Sequence, residues 1–266
     1  MGLLWQDYAQ GKQSQKQIGH LVGKSREWVN RHLAKDKPVS KGLNKSLTSG
    51  TVVIIADTTY FQQFGLMVFR SPDLRQNLLW YEIGHETNEL YSRGIQELLD
   101  EGWKISAIVA DGKPGLGRLF PDIPFQLCQF HQFATITRYI SKKPKLIPSQ
   151  ELRQLMFLLK QMDLTSFTYW LEQWHEKWKD FLNEQTINPL TNKKTYTHQK
   201  LRKAYHSLKR NLPLLFTFET KLPETIVPNT TNSLDGYFGH LKGKLNVHRG
   251  ASKETQLKLI ERLIFG

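Results

Sequence analysis

A chain of 266 residues with 37 Lys and Arg against 24 Asp and Glu carries a formal net charge of +13, and its length accommodates one decorated domain or two modest ones. That balance points to a polyanionic partner, nucleic acid first, while 39% apolar residues with 14 Phe, 9 Tyr and 7 Trp are enough for a real core. One cysteine excludes an internal disulfide and a cysteine-rich zinc site, no apolar run is long enough to span a bilayer, and the start "MGLLWQDYAQGK" lacks a signal pattern, so a soluble protein of a reducing compartment with no membrane partner is expected.

The first forty residues read as small helices. Ile18, Leu21 and Val22 have helical spacing, Gly23 breaks the run, and Ser25 is placed to cap a second helix holding Trp28, Val29 and Leu33. Two short helices around a glycine turn predict a helix-turn-helix. Its second helix presents Arg26, Asn30 and Arg31, side chains suited to phosphates and base edges. "DKPVSKGLNKSLTSG", rich in Pro, Gly, Ser and Lys without periodicity, reads as a linker.

Strand-like segments follow. "TVVIIADTTYF" predicts a buried strand ending in Asp57, with "FGLMVFRS" and "NLLWYEIG" as antiparallel neighbours. A helix capped by Thr87 buries Leu90, Ile95, Leu98 and Leu99, and "ISAIVADG" is a further strand ending in Asp111. "PFQLCQFH" passes from a short strand into a helix. This order predicts an α/β fold with a mixed sheet. From about Ile147 to Leu215 the pattern turns helical: Phe167, Trp170, Trp174, Trp178 and Phe181 form one stripe and Leu201, Tyr205, Leu208 and Leu212 another, both expected in the core, with a polar loop between them. The tail from Pro228 is helical again. There Leu234, Phe238, Leu241 and Leu245 form an apolar stripe beside a polar face of Asn232, Asp235, Gly239 and Lys242.

Asp57 and Asp111 each close an apolar run. Strand ends are where α/β sheets build sites, and an acid there is costly unless solvated, capped or bound to a cation. Singly, each Asp reads as a turn cap; together, in a basic chain with a DNA-binding head, they favour a divalent metal, whose hard-ligand preference suits Mg²⁺. "ADGKPGLGRLFPDIPFQLCQFHQFATITRYI" resembles the middle of DDE-type transposases of the bacterial insertion-sequence and Mutator-like group, through Asp111, Gly112, Phe120, Pro121, Gln126, Cys128 and His131. "TTNSLDGYFGHLKGKLNVHRG" resembles that group's last signature, and the head is similar to the helix-turn-helix of related enzymes.

The resemblance implies a ribonuclease-H-like core interrupted by an all-helical insertion. The expected organisation is a head over 1–36, a linker over 37–50, the first part of the core over 51–146, the insertion over 147–215 and the rest of the core over 216–266. The implied activity is metal-dependent strand cleavage and strand transfer at transposon ends, with Mg²⁺ (or Mn²⁺) held by Asp57, Asp111 and Asp235. Asp235 stands where the family usually has Glu, one methylene longer; Glu219, Glu224 and Glu254 do not match the motif. Cys128, His131 and Asn232 are implied to lie beside the active site, two of them being too few ligands for zinc. Lys242, Lys244, His248 and Arg249 are expected against the DNA backbone. The implied partners are double-stranded DNA with terminal inverted repeats and further copies of the chain, and the implied location is a prokaryotic cytoplasm, at the nucleoid. The alternatives are an inactive or C-terminally truncated DNA-binding descendant, suggested by Asp235 and by the abrupt end "ERLIFG", and a ribonuclease-H-like nuclease unconnected with transposition.

Overall fold

The computed structural model describes every residue except 1, 10, 12, 36–38, 188, 223, 225, 249 and 266, and only the backbone of 2 and 3. In chain order the described helices are α1 (Gly2–Ala9), α2 (Gln15–Leu21), α3 (Arg26–Ala34), α4 (Asn88–Asp100), α5 (Gln129–Ile140), α6 (Ile147–Leu158), α7 (Leu164–Asn183), α8 (Gln199–Leu215), α9 (Thr217–Thr220), α10 (Asn232–Asn246) and α11 (Lys253–Leu263). The strands are β1 (Lys41–Leu43), β2 (Thr51–Tyr60), β3 (Gly65–Ser71), β4 (Gln76–Ile83), β5 (Lys104–Ala110), β6 (Phe125–Leu127), β7 (Gln185–Ile187) and β8 (Lys194–Tyr196). The chain is α/β, with a mixed six-stranded sheet in the order β1-β4-β3-β2-β5-β6, and it divides into two compact units, 1–106 with 232–266 and 107–231.

In the first unit the head folds as its caps dictate. Ser14 and Gln17 form a reciprocal capping box on α2, and Ser25 Oγ accepts from Trp28 N at 3.1 Å to open α3. Gly23 between them has φ +64°, a conformation that favours glycine. Ile18, Val29 and Leu33 are buried as expected, but Leu21 is 67% exposed and Val22 is exposed as well. α2 is only two turns long, and the end of its apolar run passes beyond the face that the rest of the unit covers.

β2, β3 and β4 pair antiparallel, as their apolar runs predict. The stretch expected to be a linker contributes β1, which pairs antiparallel with β4 through Lys41–Tyr81 and Leu43–Leu79. β2 runs past Asp57 to Tyr60, so Asp57 lies inside the strand, opposite Val68, and not at its end. Thr87 Oγ1 accepts from Leu90 N at 3.3 Å and caps α4. A Cβ on Gly94 of that helix would lie 2.1 Å from Phe69 Cζ, so only glycine allows α4 so close to β3. Lys104 N donates to Gly50 O and Ser106 Oγ to Val52 O, so β5 starts beside β2 and runs in its direction. α10 packs on β2, with Leu234, Phe238, Leu241 and Leu245 all buried.

In the second unit, the end of β5 pairs parallel with β6 through Ile108–Phe125 and Ala110–Leu127. Helices α5 to α9 follow. Trp174 is buried and its indole N–H donates to Pro148 O at 3.0 Å. The second stripe, Leu201, Tyr205, Leu208 and Leu212, is buried throughout. The expected polar loop contains a small hairpin, β7 with β8.

Candidate active site and nucleic-acid surfaces

Asp57 is 7% exposed, and its Oδ1 accepts from Thr58 N at 2.7 Å. A carboxylate in such a position loses hydration that polar partners or a cation must replace. It does not cap a turn, because the strand continues. Asp235, by contrast, is exposed in the first turn of α10, the helix packed on β2. Asn232 opens that helix and is exposed, and Cβ atoms built on Gly236 and Gly239 would meet nothing within 4 Å. The polar face beside the buried stripe is therefore open to a large ligand.

The second unit holds Asp111, half-buried directly after β5, where its Oδ1 accepts from Gly112 N. The backbone ties the Cys-x-x-His block to this point: Cys128 N donates to Ala110 O at 2.9 Å. Cys128 is buried at the N-terminus of α5, and its Sγ accepts from Thr231 N at 3.3 Å. Burial pushes the thiol up, but hydrogen bonds involving His131 and Thr231 outweigh it and hold the group below the ordinary thiol range. Gln126, in the same block, acts as a clasp. Its Nε2 donates to Leu215 O at 2.9 Å and its Oε1 accepts from Phe218 N at 3.0 Å, joining β6 to the end of α8 and the start of α9. Thr231 and the clasp role of Gln126 carry no periodic signal, and only the fold reveals them.

Carboxylate oxygens are hard donors, so Asp57, Asp111 and Asp235 have the chemistry that Mg²⁺ or Mn²⁺ takes. Among the described residues, no group of three or more His, Cys, Asp or Glu side chains is arranged to hold a metal ion.

On the head, Arg26, Asn30 and Arg31 are exposed along α3. Asn30 Oδ1 accepts from Gln15 Nε2 at 3.3 Å. Arg26 and Asn30 open into a cleft of about 570 Å³ that Lys16, Ser252 and Thr255 also line. The chain's tail thus shares a surface with α3. α11 anchors this arrangement: the buried Lys258 donates to Leu33 O and Ala34 O at 3.3 and 3.1 Å, a cation on the carbonyl end of α3. Arg262 lies 4.5 Å from the centre of the Trp5 ring.

Lys242 and Lys244 are half-exposed on α10, and Arg249 lies outside the described residues. His248 departs from expectation. It is buried, its Nε2 is 2.8 Å from Tyr8 O, and its ring centre is 4.0 Å from that of Tyr8. The ring holds α1 to the tail instead of facing a DNA backbone, because its apolar faces and one N–H find partners there.

Burial depresses the His248 pKa from its ordinary 6.5, against a smaller opposing effect from the Tyr8 carbonyl. As pH falls below about 6.5 the unfolded chain therefore takes up a proton that the folded chain resists, and stability falls with it. Urea midpoints measured from pH 7.5 down to 5 are expected to fall, less steeply in His248→Gln. An identical slope in that variant would assign the effect to His175 and His206, which burial depresses in the same sense.

No family model matches this chain, and neither does any of the curated proteins searched against it.

Proposed function

We propose that this chain is a DDE-type DNA transposase that cuts and joins DNA at the ends of a mobile element. The observation that carries the proposal is Asp57: a nearly buried carboxylate inside β2, with the helix bearing Asp235 packed on the same strand. A charged group at such a place needs polar partners or a cation to replace its lost hydration, and this reading supplies the cation. The mixed sheet, with a helical block between β6 and α10, is compatible with a ribonuclease-H-like core carrying an insertion. In this reading Asp57, Asp111 and Asp235 are the residues that would hold Mg²⁺ or Mn²⁺, and the ion would supply activation of a water or 3′-hydroxyl and stabilisation of the leaving oxygen. The side chains themselves supply negative charge at fixed points, and Lys242 and Lys244 on the same helix as Asp235 balance the phosphates. The partners are duplex DNA with terminal inverted repeats and further copies of the chain, within a prokaryotic cytoplasm.

Asp235 tests the proposal. Cleavage of a labelled terminal-repeat duplex, with Mg²⁺ and then Mn²⁺, is expected to be lost in Asp235→Ala and Asp235→Asn with unchanged thermal melts. A helix-start charge contributes only about 0.3–1 kcal/mol, so folding survives its removal. Asp235→Glu is expected to retain or raise activity. Equal cleavage by wild type, Ala and Asn variants would reduce Asp235 to a surface charge. The exposure and short reach of Asp235 favour one second reading, a DNA-binding descendant that does not cleave; a wild type that binds without cutting, beside a Glu variant that cuts, would establish it.

The head supplies end recognition. Arg26→Ala or Arg31→Ala is expected to weaken duplex binding by about 1–3 kcal/mol where the side chain reads a base, and to flatten the salt dependence by roughly one unit where it meets a phosphate. Fluorescence anisotropy at several salt concentrations measures both. Binding indifferent to both substitutions would remove α3 from the interface.

A further inference from the structure

The second unit contains a groove of about 940 Å³ with Asp111 and His131 among its lining residues. Three arginines from three different elements also line it: Arg118 from the short 3-10 turn Leu116–Arg118 that follows Asp111, Arg138 from α5 and Arg210 from α8. All three are exposed, and among the described residues none is in an ion pair with a carboxylate. Arg138 Nη2 donates to Thr135 Oγ1 at 2.8 Å, which leaves the rest of its fork available. The facing helices are locked at this point by Gln132, which accepts from Asn211 at 2.8 Å and donates to Ser207 at 3.2 Å. The groove is thus preformed, with walls that hold its shape.

Unpaired guanidinium groups around one groove fit phosphate oxygens, which they grip in bidentate fashion. α8 carries five cations and no acid. On the exposed face of the same helix, burial first, then Arg202, Lys209 and Arg210, hold His206 below its ordinary pKa. A single strand differs from a duplex in leaving its base faces uncovered, and the lining offers places for them. Tyr139 and His131, both half-exposed in the lining, offer flat faces on which unpaired bases can stack.

We infer that this groove binds an unpaired DNA strand, with its phosphates on Arg118, Arg138 and Arg210 and a base against Tyr139, beside Asp111. The choice of DNA over RNA rests on the transposase reading; the single-strand geometry does not. The groove gives Asp111 a substrate path of its own, separate in role from duplex recognition by α3.

The test uses the full-length protein in EDTA, so that no cleavage is needed. Anisotropy of a labelled oligothymidylate is measured against salt for wild type, for Arg118→Gln/Arg138→Gln/Arg210→Gln and for Tyr139→Ala, beside a mixed-sequence duplex. Single strands release roughly 0.7 counterions per neutralised phosphate, so the triple variant is expected to lose about two units of salt slope. Tyr139→Ala is expected to bind the strand roughly tenfold more weakly, with duplex affinity unchanged in both variants. A triple variant with wild-type slope overturns the inference. Equal losses for strand and duplex overturn it too, since they would mark a general basic surface. Tighter, equally arginine-dependent binding of an oligouridylate would make this an RNA groove and overturn the DNA assignment. A wild type that never cleaves DNA yet shows the expected losses would sink the transposase reading and leave the groove standing.

Discussion

Asp57→Asn is expected to lower Mg²⁺-dependent cleavage of a terminal-repeat duplex by more than about 100-fold, since even outer-shell changes at metal sites cost about 10- to 100-fold. Duplex binding in EDTA should stay within about twofold, because phosphate contacts made elsewhere set that affinity. The substitution keeps the shape of the side chain inside β2 and its place opposite Val68, so the fold is preserved. Lost cleavage with the melting temperature held is the signature of a charge kept for function. Asp111→Asn, at a half-buried position, should lose cleavage equally. Cleavage at the wild-type rate by either variant would remove that acid from the site.

The second large effect concerns stability. Phe167 is 0% exposed and lies 5.9 Å from Phe216, ring centre to ring centre. Phe167→Ala is expected to cost about 3–5 kcal/mol, the usual range for emptying a buried phenyl site. Trp170, three residues along the same helix, is 53% exposed, and Trp170→Ala is expected to stay within about 0.5 kcal/mol. Urea unfolding followed by far-ultraviolet circular dichroism measures both. Comparable losses would mean that Trp170 is covered in solution, by a second copy or another partner.

That pair also shows where a sequence stops being informative. Phe167, Trp170, Trp174, Trp178 and Phe181 share one helical stripe in the sequence, yet Phe167 and Trp174 are buried while Trp170 is exposed. Periodicity tells which residues face the same way; it does not tell how far the neighbouring helix reaches along that face. Leu21 and Val22 are exposed for the same reason. The stripe of α10 was fully legible because its helix packs along its whole length, burying Leu234, Phe238, Leu241 and Leu245. The caps Ser25 and Thr87 were legible too, because a cap bonds to residues only three positions away.

Local chemistry thus determined the helix starts, the antiparallel strand run, the α/β class and the positions of the acids along the chain. Contacts between distant segments decided the rest. β1 has no apolar signature and exists only because β4 offers it an unpaired edge. Asp57 looked like the end of its strand because the apolar run stops there, but pairing with β3 carries β2 on through Thr58 and Thr59 to Tyr60. His248 reads in the sequence as part of a basic tail ready for phosphate, and Lys258 carries no reading there at all. The fold instead gives the imidazole to Tyr8 O and the ammonium to the last carbonyls of α3, partners some 240 and 225 positions away in the chain. A polar side chain advertises only that it needs a partner, and only the tertiary structure decides whether that partner is a ligand or the protein's own backbone.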